Sequence, residues 1–238
     1  MTDKRVKTPP DTALLKLSGA VFAPQQGQGL DAQSLQRIAQ ELIQIQHMAT
    51  RLGIVVGGGN FWRGRDIDFI DRISADHIGM LGTVINGLAL QAALRQLGQD
   101  SIVQSALPMA LADPIRPQRA KAVLDQGAIV IFVGGTGNPL VSTDTTAAVR
   151  AVEIGAALLL KGSNIDGVYD DDPKQNPQAR RFEQVSFGDV LTRQLKVMDL
   201  GAFEICRQHH VPILVFDARP PGNLIRALRQ PQIGTLIS

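Results

Sequence analysis

Ala128-Ile129-Val130-Ile131-Phe132-Val133-Gly134-Gly135-Thr136-Gly137-Asn138-Pro139 decides the fold. An apolar, mostly β-branched run with no polar alternation reads as a strand buried on both faces, and the glycines after it break the strand sharply. The pattern recurs upstream. Ala13-Leu14-Leu15-Lys16-Leu17 runs into Ser18-Gly19, and Ile54-Val55-Val56 runs into Gly57-Gly58-Gly59-Asn60. Ala157 to Leu160 is a further buried strand ending in Lys161, Ser101 to Ser105 a weaker one, and Pro212 to Phe216 a late one, with a last strand near Gly234 to Ile237.

Helical patterns lie between these strands. Asp31 opens one in which Leu35, Ile38, Leu42, Ile45 and Leu52 share a face, with Gly53 as its stop. Others cover 76–97, 117–126 and 198–210. One more is capped by Thr143 or Asp144 and runs through Ala147, Val149 and Val152 to Gly155. Strands alternating with helices predict an α/β chain with a mostly parallel central sheet covered on both faces. Residues 1–12 read as a frayed tail and 13–238 as a single domain. The turn-rich acidic loop 164–177 is the best seam within it.

Composition narrows the function. In 238 residues, Lys+Arg exceed Asp+Glu by only 24 − 22 = +2, so no charge imbalance points to nucleic acid. Hydrophobic residues at 44% and charged residues at 19% describe an ordinary globule. Aromatics at 4% argue against a base-stacking surface. The single cysteine, Cys206, excludes an intrachain disulfide framework and a Cys-cluster zinc site. No apolar run approaches the ~20 residues that span a bilayer, and the N-terminus carries no apolar signal core. The cytoplasm is the expected compartment, with no membrane partner.

Three glycine-rich loops at strand ends point to phosphate. In open parallel sheets, ligands bind at the carboxyl ends of strands. Glycine lets a phosphate approach bare backbone N–H groups. The sequence has neither a Gly-x-x-x-x-Gly-Lys-Ser/Thr loop nor a Gly-x-Gly-x-x-Gly after a strand, so ATP would be held without a P-loop. Lys16 and Lys161 each end an apolar strand, where an ammonium needs an anion or a carboxylate. Arg63 has the planar fork that suits a phosphate. Asp76 and Asp144 read either as helix caps or as functional groups: Asp76 toward ribose hydroxyls, Asp144 toward a lysine or Mg²⁺. Asp170-Asp171-Asp172 reads as a solvated loop or as cation ligands. His77, His209 and His210 show no nucleophile or ligand pattern. Trp62 reads equally as a ligand contact or as packing against a neighbouring subunit.

Taken together, the motifs resemble bacterial uridylate kinases (UMP kinases) of the amino acid kinase superfamily. The stretches that carry the likeness are Leu14 to Gly19, Gly57 to Gly64, Asp76-His77-Ile78-Gly79-Met80-Leu81 through Asn86-Gly87-Leu88, and Gly135 to Pro139. Thr143-Asp144, Asp166-Gly167-Val168-Tyr169 with Asp172-Pro173, and Lys196 to Leu200 complete the set. In order and spacing they cover about residues 13–237.

The resemblance implies a three-layer αβα sandwich, the amino acid kinase fold, with an acceptor lobe over about 13–160 and an ATP lobe over about 161–238. It implies transfer of the ATP γ-phosphate to UMP, giving UDP and ADP in pyrimidine nucleotide biosynthesis. Mg²⁺ would be carried by ATP, with no metal held by the protein alone. Lys16, Asp144, Lys161 and Asp199 would surround the transfer. ATP would meet Lys16, Leu17, Ser18, Gly19, Gly59, Arg63, Ser163, Tyr169 and Asp172. UMP would meet Gly58, Asp76, Thr136, Gly137, Asn138, Pro139, Leu140, Val141, Ser142 and Thr143. A homo-oligomer, a hexamer built from dimers, and GTP and UTP as effectors are also implied. The alternative is a non-catalytic nucleotide- or oxyanion-binding paralogue on the same fold.

Several positions depart from the resembled pattern, among them Ser163 in place of the usual threonine and the stretch Ser101-Ile102-Val103, which lacks an arginine that some of the resembled kinases use for effector binding. Ala20 stands where a glutamate is usual, Asn164 where a lysine is usual, and Gln28 where an aromatic is usual.

Overall fold

In the computed structural model, the described residues are 9–24, 27–48, 50–62, 69–173, 175–195 and 197–238. The strands are β1 (Thr12–Leu17), β2 (Arg51–Val56), β3 (Ser101–Ser105), β4 (Asp113–Pro114), β5 (Ile129–Val133), β6 (Leu158–Ser163), β7 (Gln184–Val185), β8 (Ile213–Asp217) and β9 (Thr235–Ile237). They form one nine-stranded sheet in the order β4-β3-β5-β2-β1-β6-β8-β9-β7. Every pairing is parallel except β8 with β9.

The helices are α1 (Ala32–Gln46), α2 (Arg72–Gln96), α3 (Pro117–Asp125), α4 (Thr143–Ile154), α5 (Phe187–Thr192), α6 (Leu200–Gln208) and α7 (Asn223–Arg229). Strand pleating sends alternate side chains to opposite faces. Ala13, Leu15 and Leu17 of β1 pack in one core with Ile38 and Leu42 of α1, Leu90 and Leu94 of α2 and Leu224 and Leu228 of α7. Leu14 enters the other core, with Leu124 of α3, Ala147 and Ala151 of α4, Val190 of α5 and Phe203 and Cys206 of α6. The result is the three-layer αβα sandwich. Cys206 is fully buried, and burial pushes its thiol up to about 12.

Several boundaries differ from the sequence reading, each for a local reason. Helix α1 stops at Gln46, and Leu52 and Gly53 belong to β2. Gly53 is therefore a packing residue: a Cβ there would press on Ile154 of α4 and Leu14 of β1. Helix α2 begins earlier, because Asp71 and not Asp76 is its N-cap, accepting the Ser74 amide at 3.0 Å. Helix α4 is capped by Ser142 rather than Thr143 or Asp144, which lie within its first turn. Strands β4 and β7 and helix α5 are too short to leave a periodic signal.

Helix α2 passes the length and composition test for a membrane span, yet half of its most apolar window is buried. Core helices pass the same test. Its inner side runs close to the loop after β2. A Cβ on Gly58 would overlap the Gly79 carbonyl oxygen and the backbone of Gly82 and Thr83. Gly58→Ala must push loop and helix apart. The expected cost is about 1–3 kcal/mol, read as a fall of several degrees in Tm against wild type.

Candidate active site

Parallel pairing brings the glycine loops together. Strand β1 lies between β2 and β6, and its register sets Lys16 directly opposite Lys161. Neighbouring strands are about 4.8 Å apart, so two ammoniums leave the same face of the sheet side by side. Both residues are buried, at 8% and 5% exposure. Asp144 descends on them from the first turn of α4. One carboxylate oxygen meets Lys16 Nζ at 2.8 Å and the other accepts from Lys161 Nζ. Lys161 also donates to the Val197 carbonyl.

The electrostatics follow from this packing. Burial disfavours the Asp144 carboxylate, but Lys16 and then Lys161 outweigh it and hold its pKa at about 2. For Lys161, burial dominates and Lys16 adds to it. Asp144 opposes both, and the ammonium is left at about 8. The two cations share one buried carboxylate, and the charge of Asp199 also favours the Lys161 ammonium.

Three loops surround that centre. Ser18 and Gly19 follow β1, with the Ser18 amide donating to Gly162 O at 3.1 Å. Gly19 fits closely against Gly59 and Asn60, with no room for a Cβ. The Gly57–Asn60 loop is braced by a buried reciprocal amide pair, Asn60 with Asn86 of α2, at 2.9 and 2.7 Å. Asn86 also donates to Gly57 O at 2.6 Å, and Asn60 to Gly29 O at 2.8 Å. The third loop follows β5. Gly134, Gly135 and Gly137 have φ of 75°, 62° and 82°, the left-handed region that glycine tolerates.

The segment from Thr136 to Thr143 then runs to the start of α4. Thr136 Oγ1 accepts the Asn138 amide at 3.3 Å, and Pro139 follows. Leu140 is exposed with a φ of 67°, strained for a leucine. Its amide donates to Asp76 Oδ2 at 2.9 Å, and Arg72 pairs with the other oxygen at 2.9 Å. Val141 is exposed beside it. Ser142 Oγ accepts the Asp144 and Thr145 amides and donates to Asp199. Thr145 Oγ1 reaches the same Asp199 oxygen at 3.2 Å. Asp199 is the N-cap of α6 but makes no cap bond there. Its side chain serves α4 instead.

The structure thus gathers Lys16, Asp144 and Lys161 into one cluster, with Asp199 joined to it through α4. Ser163 ends β6, buried, two residues beyond Lys161. Tyr169 is not drawn into contact with the cluster: its hydroxyl donates to Asp166 at 2.9 Å. Asp172 lies in the same loop, its amide on Asp171 Oδ1 at 2.8 Å. Arg63 and Lys196 lie outside the described residues.

A cavity of about 1540 Å³ opens beside Gly59, between the start of α1 and Pro220-Pro221. Ala20, Gln28 and Asn164, three of the positions that depart from the resembled pattern, line it. Asn86 stands in one of the stretches that carry the resemblance, without a role assigned to it, and Thr83 carries no signal of its own in the sequence. Their spacing, polar residues three apart on the buried side of an apolar helix, was the signal available.

The model of the Amino acid kinase family matches residues 11–217. A uridylate kinase of Streptomyces avermitilis is 48% identical over 228 residues, 94% of this chain and 90% of that protein. A uridylate kinase of Shewanella loihica is 43% identical, covering 94% of this chain and 92% of that protein. The crystal structure of UMP kinase from Bacillus anthracis superposes with a TM-score of 0.92 at 37% identity, covering 97% of this chain and 96% of that one. With this fold, this cluster and these relatives, the chain belongs to the amino acid kinase family, among its uridylate kinases.

Proposed function

We propose that the chain transfers the γ-phosphate of ATP to UMP, giving UDP and ADP, in pyrimidine nucleotide synthesis in the cytoplasm. The observation that carries this is the Lys16–Asp144–Lys161 cluster at the loop-bearing ends of β1 and β6. Phosphoryl transfer passes through a loose transition state with charge spread over the equatorial oxygens, so catalysis is positioning and charge stabilisation. Lys16 and Lys161 supply that charge. Asp144 keeps the two ammoniums parallel and fixed before substrate arrives. Asp199 acts on the same centre through Ser142 and Thr145.

The Ser18–Gly19 turn and Gly59 suit the phosphates of ATP, with Leu17, Ser163, Tyr169 and Asp172 along the nucleotide. Arg63 belongs to the same proposed set. Gly58, Asp76 and the Thr136–Thr143 segment suit UMP. A carboxylate at Asp76 can accept from ribose hydroxyls once its bond to the Leu140 amide loosens. Mg²⁺ would enter with ATP and neutralise its β- and γ-oxygens. Both oxygens of Asp144 are engaged by lysines, which fits an ion that rides on the nucleotide. A storage role is not favoured, because mere anion retention does not call for two registered lysines with a buried carboxylate between them.

We also infer a homo-oligomer, a hexamer, with GTP and UTP as effectors. The support for assembly is the outer side of α2. Ile78, Leu81 and Ile85 are exposed there at 37%, 52% and 45%, at helical spacing.

Four outcomes are expected. Incubated with MgATP and, separately, UMP, CMP, dUMP or glutamate, the protein should yield stoichiometric UDP and ADP with UMP alone. Lys16→Ala should cut kcat about 10²-fold or more, in line with losing one preorganised charge donor. No turnover from folded wild type, or a kcat within about threefold in the variant, would reject the respective claim.

The pH profile follows from Lys161. Its ammonium titrates at about 8, so its charge is present below that pH and lost above it. The profile of kcat/KM, which reports the free enzyme, should fall on the alkaline side with a midpoint near 8. Lys161→Arg, permanently charged, should abolish that limb whatever its absolute rate. Finally, Leu81→Glu should reduce the mass seen by light scattering to that of a smaller species without unfolding the chain. An unchanged mass would exclude α2 from the interface.

A further inference from the structure

We propose that Thr83 is a positioning residue for the acceptor loop, acting through the Gly134 peptide; this rests on the reading above that the loop after β5 binds UMP. Thr83 lies in the interior of α2 and is 3% exposed. Its hydroxyl has both a donor and an acceptor task. It donates to Met80 O, one turn back, at 2.6 Å, and accepts the Gly134 amide at 2.7 Å. The first bond fixes where the hydrogen points, so the lone pairs are fixed too. The second is therefore a directed hold on the first peptide of the loop.

That peptide is where the chain leaves β5. Gly134 and Gly135 both take left-handed φ, which turns the chain sharply away from the strand. Gly134 has no spare space, because a Cβ would press on Leu107 and Ala106. A small rotation of its peptide would be carried into Thr136–Thr143, the stretch that ends at the cap of α4.

The same turn of α2 touches the other loop. The backbone of Gly79, Gly82 and Thr83 abuts Gly58, and Asn86 bonds Gly57 O one turn on. Strands β2 and β5 are neighbours in the sheet, and beyond their last pair helix α2 holds the two loops that leave them. Thr83 holds one of these loops, and Asn86 the other. Loss of the Thr83 hydroxyl should disturb the acceptor side while leaving the Ser18–Gly19 and Gly59 side in place. A residue that merely stabilised the fold would not discriminate between the two substrates.

The test is steady-state kinetics on the full-length protein with Thr83→Val, which keeps the shape and removes both bonds, and Thr83→Ser, which keeps both. Thr83→Val should raise KM for UMP about fivefold or more and leave KM for ATP within about twofold, as expected when the buried Gly134 amide loses its acceptor. Thr83→Ser should restore both constants to within about twofold of wild type. Titration calorimetry with UMP alone should show the same loss and rescue without turnover. Should Thr83→Val not fold, Thr83→Ala set against Thr83→Ser makes the same comparison. If both KM values move together, if neither moves, or if serine fails to rescue, the role of Thr83 is overturned while UMP kinase activity stands. A folded wild type that does not phosphorylate UMP overturns both.

Discussion

Two like charges held side by side in a protein interior repel strongly, and the placement of Lys16 and Lys161 makes that problem unavoidable. Parallel pairing of β1 with β6 sets them opposite each other on one face. Burial at less than 10% exposure denies both of them full hydration. A single carboxylate must serve both, and it must come from above the sheet. That requirement fixes where α4 begins, how its first turn is oriented, and what caps it. Ser142 bonds two amides of that turn and ties it to Asp199, so α4 and α6 are locked at the point where the charges meet. The centre that results is electrostatically frustrated but geometrically rigid. Its two ammoniums share one buried carboxylate, so an incoming phosphate would find both of them only partly paired.

Helix α2 carries the complementary constraint. One side is a row of small and polar residues, Gly79, Gly82, Thr83, Asn86 and Gly87, which allows glycine loops and a strand to approach its axis closely. The opposite side is an apolar stripe. A helix built this way transmits displacement, because any shift forced on the stripe is delivered to both loops at once. Sensitivity to subunit contacts and precision of the substrate loops would then have one origin.

Much of this was legible in the sequence. Continuous apolar runs identified the principal strands, and the glycines after them marked the loop-bearing edge. Lysines at two strand ends already required anions. The pairing order was not legible, because nothing local reports that β1 lies between β2 and β6. The lysine pair was therefore visible as two separate residues and not as one cluster. Caps were misassigned where several candidates stood close together: Asp71 against Asp76, Ser142 against Thr143 and Asp144. Gly53 looked like a helix stop because glycine serves both turns and close packing, and only the third dimension separates the two. Thr83 was hidden because a hydroxyl in an apolar helix carries no signature until its partner, Gly134, is seen beside it. Asp199 had a place in the resembled motif, but its reach to α4 depends on the contact between two helices.

Cys206 is the one sulfhydryl in the chain, and it sits in the last turn of α6 with no solvent exposure. Its thiol is held protonated far above neutral pH by burial, so the native fold presents nothing for an alkylating reagent to attack. Reaction at that sulfur requires the core packed around α6 to open. The chain therefore contains its own clock for opening: the rate of thiol capture under native conditions measures how often the core around the helix capped by Asp199 comes apart.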